Sequence, residues 1–331
     1  MKLSYLDLTT TDPDVNLATE QYVFDSLPRD RAWFMLWQND NAIIIGKHQN
    51  TFAEINEPYV REHGIRVVRR LSGGGAVYHD LGNLNFTFIT DAGETDKLDF
   101  RAFCLPIVDT LESLGVPAEI NGRNDITIEG KKFSGNSQYL KSGRVMHHGT
   151  ILFDSDLGVV SHALRVDESK LQTKGIRSVR SRVTNVKPYL PREMTLSDFR
   201  RVLLDHILAQ MPGEAWTLTE EDRAAIEELR ARRYGTYDWN YGVSPQCTVR
   251  KSRRVEGCGL VDAYLTIEEG VIRSLTFHGD FFSVDDPEEL AKRFLGRRPA
   301  PEEYAAALDG VDAGRFFVGL DNETLLDLLT E

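Results

Sequence analysis

The sequence predicts an α+β protein in which a mixed, mainly antiparallel sheet with flanking helices precedes a small α+β unit. Two observations predict this order. Strand-like segments with alternating apolar residues, such as Leu84, Phe86 and Phe88, occur among segments of helical periodicity before residue 240. Beyond that point, an aromatic run leads into a hairpin pattern and three short helical patterns. We therefore expect two domains, residues 1–244 and 245–331, which a chain of 331 residues can support.

Capping and stop signals place the helices of the first domain. Asp12 or Asp14 can cap the first helix, and Pro58 can open a short one. The glycine and proline at Gly115 and Pro117 form a stop signal for another. Apart from the short helix at Pro58, helices are predicted over residues 11–27, 100–114, 196–210 and 219–234.

The strands of the first domain follow from β-branched and aromatic runs bounded by turn residues. They are predicted over residues 33–37, 42–45, 65–70 and 84–89, with several short strands punctuated by glycines between residues 118 and 153. Just before the predicted domain boundary, residues 237–242 are predicted as an aromatic turn. A hairpin is predicted over residues 259–267 and 271–277, followed by helices over 288–295, 301–307 and 323–329.

The composition limits the classes of function. A formal net charge of −12 argues against nucleic-acid binding by a general basic surface. Neither a secretory signal nor a membrane-spanning apolar run is present in the sequence, so we expect a cytoplasmic protein without a membrane partner. The three cysteines, Cys104, Cys247 and Cys258, have no disulfide or metal spacing and are interpreted as packing residues.

A glycine run between two predicted strands is the most informative feature of the sequence. Gly73, Gly74 and Gly75 lie between Arg69-Arg70 and His79-Asp80. A bare triple glycine is compatible with a flexible loop, but these neighbours favour a loop that a ligand approaches closely. Its backbone N–H groups can face anionic oxygens, and both arginines can supply fixed charge. The run has neither the Walker A nor the dinucleotide-binding spacing.

Two further segments carry residues suited to an anionic ligand. Asn124 and Asp125 could bind Mg²⁺ or a nucleotide, although an isolated pair of this kind also fits a turn. Lys131 and Lys132 would face opposite sides of a strand, so only one can point inward. The adjacent His147 and His148 would likewise diverge, and we do not expect them to share a metal ion.

Residues 170–187 are basic and serine-rich within an acidic chain. They are compatible with a solvated charged loop. The alternative is a flap that closes over an anionic nucleotide and excludes water from a labile intermediate.

Taken together, these segments resemble the lipoate–protein ligase family. The family pattern Arg-Arg-x-Ser-Gly-Gly-Gly-Ala-Val-aromatic-His-Asp-x-Gly-Asn is matched over residues 69–83 without a gap. Gly-Arg-Asn-Asp and Gly-Lys-Lys-x-Ser-Gly-Asn elements follow between residues 122 and 136, then His-Gly-Thr at 148–150 and Ser-Val-x-Ser-Arg-Val-Thr-Asn at 178–185. The Gly-Asp-Phe-Phe run at 279–282 is similar to the accessory domain of the longer, bacterial-type ligases.

The resemblance implies a catalytic domain related to biotin–protein ligases and a role for each matching residue. Lys132 would contact the acyl carboxylate and the α-phosphate, and Asp125 would hold Mg²⁺. Arg70 would bind the carboxylate or phosphate end, and His148 would flank the acyl chain. The other substrate-binding residues would be Ser72, Gly73, Gly74, Gly75, Ala76, Val77, Tyr78, His79, Asn83, Asn124, Gly135 and Gly149, with Lys174, Ser178 and Arg182 in the flap.

The implied reaction is ATP-dependent. Lipoate or octanoate would become an acyl-adenylate, and a lysine of an acceptor protein would displace AMP. The implied acceptors are the apo lipoyl domains of 2-oxoacid dehydrogenase acyltransferases or the glycine-cleavage H protein. Beyond ATP and Mg²⁺, no tightly bound organic cofactor is expected.

Three alternatives stay open on the sequence. An octanoyl or lipoyl transferase of the same fold would need no ATP, but it would need a nucleophilic cysteine, and residues 136–153 contain none. Biotin ligation is less well supported, because the glycine loop differs from the arginine-rich loop of that family. A non-catalytic ligand-binding protein would have no evident use for Lys132 beside intact glycine and arginine elements.

Overall fold

The computed structural model describes residues 2–92, 98–122, 124–164, 183–242, 249–268 and 270–330. These residues form three sheets with helices packed around them. The strands are β1 (Lys2–Asp7), β2 (Arg31–Trp37), β3 (Ala42–Ile45), β4 (Arg66–Arg69), β5 (Val77–His79), β6 (Asn83–Asp91), β7 (Ala118–Asn121), β8 (Asp125–Ile128), β9 (Lys131–Lys141), β10 (Arg144–Leu152), β11 (Gly213–Ala215), β12 (Val249–Val255), β13 (Gly259–Glu268) and β14 (Val271–Gly279).

Most helices are short, and many are capped by side chains. Asp12, for example, accepts hydrogen bonds from the backbone of Asp14 and Val15 at the start of the first helix. The helices are α1 (Pro13–Ser26), α2 (Thr51–Glu54), α3 (Glu57–Glu62), α4 (Arg101–Ser113), α5 (Leu157–Ala163), α6 (Leu196–Gln210), α7 (Glu220–Leu229), α8 (Tyr237–Tyr241), α9 (Pro287–Lys292), α10 (Pro301–Ala307), α11 (Ala313–Phe316) and α12 (Asn322–Thr330).

The large sheet has eight strands in the order β11-β1-β2-β6-β10-β9-β8-β7. The strand β1 is parallel to both of its neighbours, and every other pair in this sheet is antiparallel. One face of the sheet packs against α4 and α6 around Phe34, Phe86 and Phe133. The other face packs against α1 and α7 around Trp33 and Met35. The predicted mixed, mainly antiparallel sheet with flanking helices is confirmed.

The two smaller sheets carry the glycine loop and the C-terminal region. In the first, β3 pairs in parallel with β4 and antiparallel with β5, so the residues between β4 and β5 form a loop at the end of this sheet. In the second, β12, β13 and β14 form an antiparallel meander with its own apolar core against α9, α10 and α12. The separate C-terminal α+β unit expected from the sequence is therefore present. No helix in the described part of the chain is long and apolar enough to cross a membrane.

Several predicted elements have different forms in the structure. Residues 118–153 are not a series of short strands, because β9 and β10 contain 11 and 9 residues. Gly135 lies inside β9, whereas Gly122, Gly130 and Gly143 have positive φ angles at turns. The predicted aromatic turn is the helix α8, capped by Thr236. The helix predicted over residues 219–234 becomes a π-helical turn after Leu229. The strands β1, β11 and β12 and the helix α5 were not predicted.

Arg69 joins the small sheet to the helix α8. Its guanidinium donates to the carbonyl oxygens of Gly46 at 2.9 Å, Gln49 at 2.6 Å and Trp239 at 2.9 Å, and to Thr51 Oγ1 at 2.6 Å. Burial lowers the pKa of Arg69 to about 10, so the side chain stays charged at neutral pH. These acceptors offset the cost of burying the charge.

Replacing Arg69 with methionine should lower the free energy of unfolding by about 3–5 kcal/mol, because several buried carbonyl groups would lose their donor. Urea denaturation of the Arg69→Met variant measures the change. Arg61→Met, on the exposed surface of α3, is the matched control and should shift stability by less than about 0.5 kcal/mol. Equal shifts in the two variants would contradict the structural role of Arg69.

Candidate functional site

A cleft with a cavity volume of about 140 Å³, open to solvent, lies between the small sheet, the large sheet and the C-terminal region. It contains polar side chains from β9 and β10 and apolar side chains from α1, β2 and β3. Its lining comprises Leu17, Trp37, Ile44, Arg70, Gly74, Gly75, Ala76, Val77, His79, Asn85, Asn124, Lys132, Gly135, Asn136, Ser137, His148, Gly149, Thr150 and Phe282.

Arg70 holds the glycine loop in its conformation. Its guanidinium donates to the carbonyl oxygens of Gly73 at 2.7 Å, Gly75 at 2.8 Å and Ile44 at 3.0 Å, and Nε donates to Ser72 Oγ at 3.1 Å. Of its five N–H groups, one on Nη1 has no hydrogen bond within the described residues. Burial lowers the pKa of Arg70 to about 10, so the group remains cationic. Arg70 therefore shapes the loop and presents its charge at the cleft.

Arg69 does not line the cleft, although the sequence suggested that both arginines could supply charge to one ligand. Neighbouring residues on a strand face opposite sides. Arg69 accordingly points to the opposite side of β4, where it is fully engaged with backbone carbonyls.

The three glycines differ in what surrounds them. A Cβ at Gly73 would lie 2.4 Å from the carbonyl oxygen of Phe281, and one at Gly74 would lie 3.0 Å from Cε1 of Phe282. Gly74 also has a φ of +88°, which disfavours side chains. A Cβ at Gly75 would meet nothing within 4 Å. Gly73 and Gly74 therefore have to lack a side chain, because the C-terminal segment occupies the space that a Cβ would need. Gly75 faces free space in the cleft.

The C-terminal region contacts this loop through a seam, defined here as residues 279–283 together with His48. The N–H of Gly74 donates to the carbonyl oxygen of Phe281 at 3.2 Å, and the N–H of Gly279 donates to that of His48 at 2.9 Å. The imidazole of His48 stacks on Phe281 with ring centroids 4.7 Å apart. In the structure, the group that approaches the backbone of Gly74 is the protein's own chain.

Lys132 lies at the polar end of the cleft. Its Nζ is 2.7 Å from Oδ1 of Asp125, and both side chains are a little over one third exposed. A register shift between β8 and β9 pairs Lys132 with Thr127. A Cβ at Gly135, inside the same strand, would lie 2.9 Å from Nζ, so a side chain there would displace the ammonium group. Of the two adjacent lysines, Lys132 lines the cleft and Lys131 is exposed.

A buried chain of hydrogen bonds connects the cleft to α1. Ser72 Oγ is 2.6 Å from Nε2 of His148, whose Nδ1 is 2.8 Å from Oε1 of Glu20. Thr87 donates to the same carboxylate oxygen at 2.7 Å and accepts from the indole of Trp37 at 2.9 Å. Since Glu20 accepts at Nδ1, the orientation of the His148 ring is fixed.

His79 and Asn85 present buried polar atoms in the cleft without a partner. Asn39 donates to Nδ1 of His79 at 3.1 Å, because its amide oxygen accepts from Asn16. The hydrogen of the neutral ring therefore lies on Nε2. Within the described residues neither Nε2 of His79 nor Nδ2 of Asn85 has a hydrogen-bond partner. Burial lowers the pKa of His79 to about 3. The cleft thus offers donors to a ligand with acceptor atoms.

Most predicted site residues line the cleft, and five do not. Ser72 is behind it, bound to His148, and Gly73 is covered by Phe281. Tyr78 donates to Asn41 Oδ1 on the other side of β5, and Asn83 donates to Asn85 Oδ1 beneath the surface of the cleft. Asp125 reaches the site through Lys132. The residues predicted for the flap, Lys174, Ser178 and Arg182, lie outside the described residues.

Sequence reasoning missed several lining residues for identifiable reasons. Asn136 and Ser137 belong to a glycine-containing element that the sequence analysis singled out, and Asn85 follows Asn83 at strand spacing. These three could have been found. Leu17, Trp37 and Ile44 resemble ordinary core residues, and Phe282 lies far away along the chain.

The two cysteines in the described part of the chain and the adjacent His147 and His148 are buried. Cys104 is buried with Sγ 4.0 Å from Nε2 of His147, and burial raises its pKa to about 12. Cys258 is also buried, and Cys247 lies outside the described residues. His147 and His148 have different partners, as expected from their alternation. In the described part of the chain, no group of three or more His, Cys, Asp or Glu side chains could hold a metal ion.

Two family models match the chain. The lipoyl protein ligase A/B catalytic domain matches residues 12–208, and the bacterial lipoate protein ligase C-terminus matches residues 244–329. A Bacillus subtilis protein named lipoate-protein ligase LplJ is 43% identical over 323 residues, covering 96% of this chain and 97% of its own. Lipoate–protein ligase 1 of Staphylococcus aureus is 40% identical and covers 97% of both chains.

Solved structures extend the similarity to the fold. P. falciparum LipL1 in complex with lipoate aligns with a TM-score of 0.80 over 99% of this chain and 98% of its own, at 22% identity. A lipoate-protein ligase A bound with ATP aligns at 0.63 with 28% identity, covering 73% of this chain and 99% of its own. A bi-partite ligase of Thermoplasma acidophilum, studied with its E2 lipoyl domain, aligns at 0.64 with 29% identity, covering 75% and 98%.

The unequal surroundings of the glycines predict unequal effects of alanine. Gly74→Ala should destabilise the protein by about 1–3 kcal/mol, because the methyl group would be strained and would press on Phe282 and Arg70. Gly75→Ala should stay within about 0.5 kcal/mol of the parent protein. Urea denaturation of both variants tests this difference. Equal destabilisation would mean that the loop is not held as described.

The low pKa of His79 predicts that acid destabilises the fold. The unfolded ring has a pKa near 6.5 and the folded ring about 3, so the unfolded chain binds more protons between these values. The stabilisation is complete above pH 6.5 and is lost as the pH falls towards 3. Between pH 6.5 and 5, this group accounts for roughly 2 kcal/mol. His79→Gln should reduce the change in the free energy of unfolding between pH 6.5 and 5 by that amount, as measured by urea denaturation at each pH. An unchanged pH dependence would refute this role of His79.

Proposed function

This chain belongs to the lipoate–protein ligase family, and on that premise we propose that it activates lipoate or octanoate with ATP and transfers the acyl group to a lysine of an acceptor protein. The observation that carries the proposal is the position of Lys132. Its ammonium group lies at the polar end of a cleft whose remaining lining includes Leu17, Trp37 and Ile44. Such a cleft suits a ligand with an apolar chain and an anionic end.

In the first half-reaction, a carboxylate oxygen of the acid attacks the α-phosphorus of ATP, and pyrophosphate leaves. Two anions must approach each other, so fixed cations lower the barrier. Lys132 would contact the acyl carboxylate and the α-phosphate, and Arg70 would add its buried charge nearby. His79 and Asn85 would donate from the wall to the bound adenylate or acid.

In the second half-reaction, the neutral amine of the acceptor lysine attacks the acyl carbon. The C–N bond forms, AMP leaves with the electrons of the acyl–oxygen bond, and the amine loses a proton. No nucleophile of the enzyme is needed, which agrees with the high pKa of Cys104. This thiol is buried and would be protonated at neutral pH, which disfavours it as the nucleophile of an ATP-independent transferase.

Asp125 is the residue that we propose for Mg²⁺. Magnesium commonly binds through one or two carboxylates together with substrate phosphates, so a single carboxylate beside Lys132 fits that mode. The ion would neutralise phosphate charge when bound with ATP. A site built by protein side chains alone is not expected, in keeping with the dispersed acidic residues of the described part of the chain.

We also propose that residues 1–244 form the catalytic domain and residues 245–331 an accessory domain. The separate apolar core of the C-terminal region supports this division. The proposed acceptors are apo lipoyl domains, by analogy with the archaeal ligase and its E2 lipoyl domain, and the glycine-cleavage H protein. Of the proposed flap, residues 183–187 are described: the N–H of Thr184 donates to the carbonyl oxygen of Lys132 at 2.9 Å.

The function is tested by incubating the protein with lipoate, ATP, Mg²⁺ and an apo lipoyl domain or apo H protein, followed by intact-mass spectrometry. We expect a lipoyl mass increment on the acceptor that requires ATP. Modification from an acyl-carrier donor without ATP would instead establish the transferase. The Cys104→Ser variant separates the two further, since a ligase should retain its activity.

Replacing Lys132 with methionine should reduce both half-reactions by about a hundredfold to a thousandfold, as expected when a charge at the reacting phosphate is removed. Pyrophosphate release measures the first step, and transfer from chemically prepared lipoyl-AMP measures the second. Lys131→Met is the matched control, because that neighbouring lysine is exposed on the strand. Substantial activity in Lys132→Met, or an equal loss in the control, would refute the role of Lys132.

A further inference from the structure

We propose that Phe282 of the C-terminal region forms one wall of the acyl part of the cleft and limits the size of the acid that the cleft accepts. The inference rests on the proposed function and adds a specificity-determining residue from the region outside the predicted catalytic domain. The ring of Phe282 lines the cleft although it lies more than 130 residues along the sequence from the last other lining residue, Thr150.

The ring of Phe282 is fixed between two parts of the catalytic region. Its Cε1 and Cζ atoms lie 3.0 and 3.2 Å from the position that a Cβ on Gly74 would occupy. On another side, it packs against Phe100 with ring centroids 5.2 Å apart. The side chain is almost completely buried. A buried ring at contact distance on two sides cannot move without a change in the loop or in α4.

The backbone around Phe282 is also held by the seam. The carbonyl oxygen of Phe281 accepts from Gly74, and Ser283 Oγ is 3.1 Å from Nε2 of His48. Lys47 and Asp286 form an ion pair of 3.1 Å just beyond. These contacts come from both sides of residue 282, so they set the depth to which the ring enters the cleft.

The wall that Phe282 completes is apolar. Leu17, Trp37 and Ile44 belong to one apolar cluster, and Val77 packs against it. Together with Phe282 they line the same cleft, whereas Lys132 and Asn124 provide the polar part. An alkyl chain is the part of an acyl-adenylate that such a surface stabilises. The aromatic ring would therefore contact the acyl chain and leave the nucleotide to the polar residues.

Acid-size selectivity tests the proposal. We would measure kcat/KM for pyrophosphate release with octanoate and with dodecanoate, and the KM for ATP, in the parent protein and in Phe282→Ala. Removing the ring should raise the ratio of kcat/KM for dodecanoate to kcat/KM for octanoate by roughly tenfold or more. One methylene in an apolar pocket changes selectivity by about 10–200-fold. The KM for ATP should not change. Phe282→Trp should shift the ratio in the opposite direction.

Phe294→Ala is the matched control, because it removes an equally buried ring from the core of the same C-terminal region, away from the cleft. It should leave the ratio unchanged. If Phe282→Ala does not fold, Phe282→Leu should give a smaller change of the same sign. An unchanged ratio in a folded Phe282 variant, or a raised KM for ATP alone, would overturn the proposal.

Calorimetric titration with octanoate and with dodecanoate separates this proposal from the proposed function. If the parent protein releases no pyrophosphate with any acid, the ligase activity is refuted. The relative affinities of the two acids still show whether Phe282 limits the size of the acid that binds. Tighter relative binding of dodecanoate to Phe282→Ala supports the role of the ring, and equal relative binding refutes it.

Discussion

The buried guanidinium of Arg70 is the interaction on which the rest of the site depends. Burying a charge is costly, and here the cost is offset by three carbonyl groups and one hydroxyl. Two of those carbonyls belong to Gly73 and Gly75, so the cation folds the glycine loop around itself. The same positive charge also lines the cleft, because the carbonyl groups orient the guanidinium without neutralising it. A lysine could not replace it, since its ammonium group lacks the planar fork of donors.

The loop that Arg70 shapes has two functional sides. Gly73 and Gly74 admit the C-terminal segment, and Gly75 leaves space in the cleft. Gly46 is part of the same arrangement, because a Cβ there would lie 1.9 Å from the carbonyl oxygen of Gly74. The glycine run is therefore conformationally restricted by its contacts rather than flexible. Any displacement of the C-terminal region would remove one wall of the cleft and release the N–H of Gly74.

Local signals predicted much of the fold, and the failures have physical causes. The predicted bounds of β3, α6 and α10 agree with the structure, because capping residues and periodicity are local properties. The strand β11 has three exposed residues, too few to produce a pattern. Gly135 was interpreted as a turn residue, whereas it lies inside β9 beside the ammonium group of Lys132. The family resemblance selected the cleft-lining segments and implied ligand binding by Arg70, but it did not reveal the buried contacts of Arg69 or bring Phe282 to the loop. Those facts depend on tertiary packing between distant parts of the chain.

The pairing of Lys132 with Asp125 is compatible with anion binding in a protein whose net charge is −12. In the structure the ammonium group is held by a carboxylate, and both groups are partly exposed, so the pair contributes little to stability. It can therefore be broken at low cost when a more strongly anionic phosphate arrives. On the proposed function, Lys132 would turn to the α-phosphate and leave Asp125 as an uncompensated carboxylate beside the nucleotide. A divalent cation that accompanies ATP would relieve such a repulsion, so one ion pair can account for the proposed roles of both Lys132 and Mg²⁺.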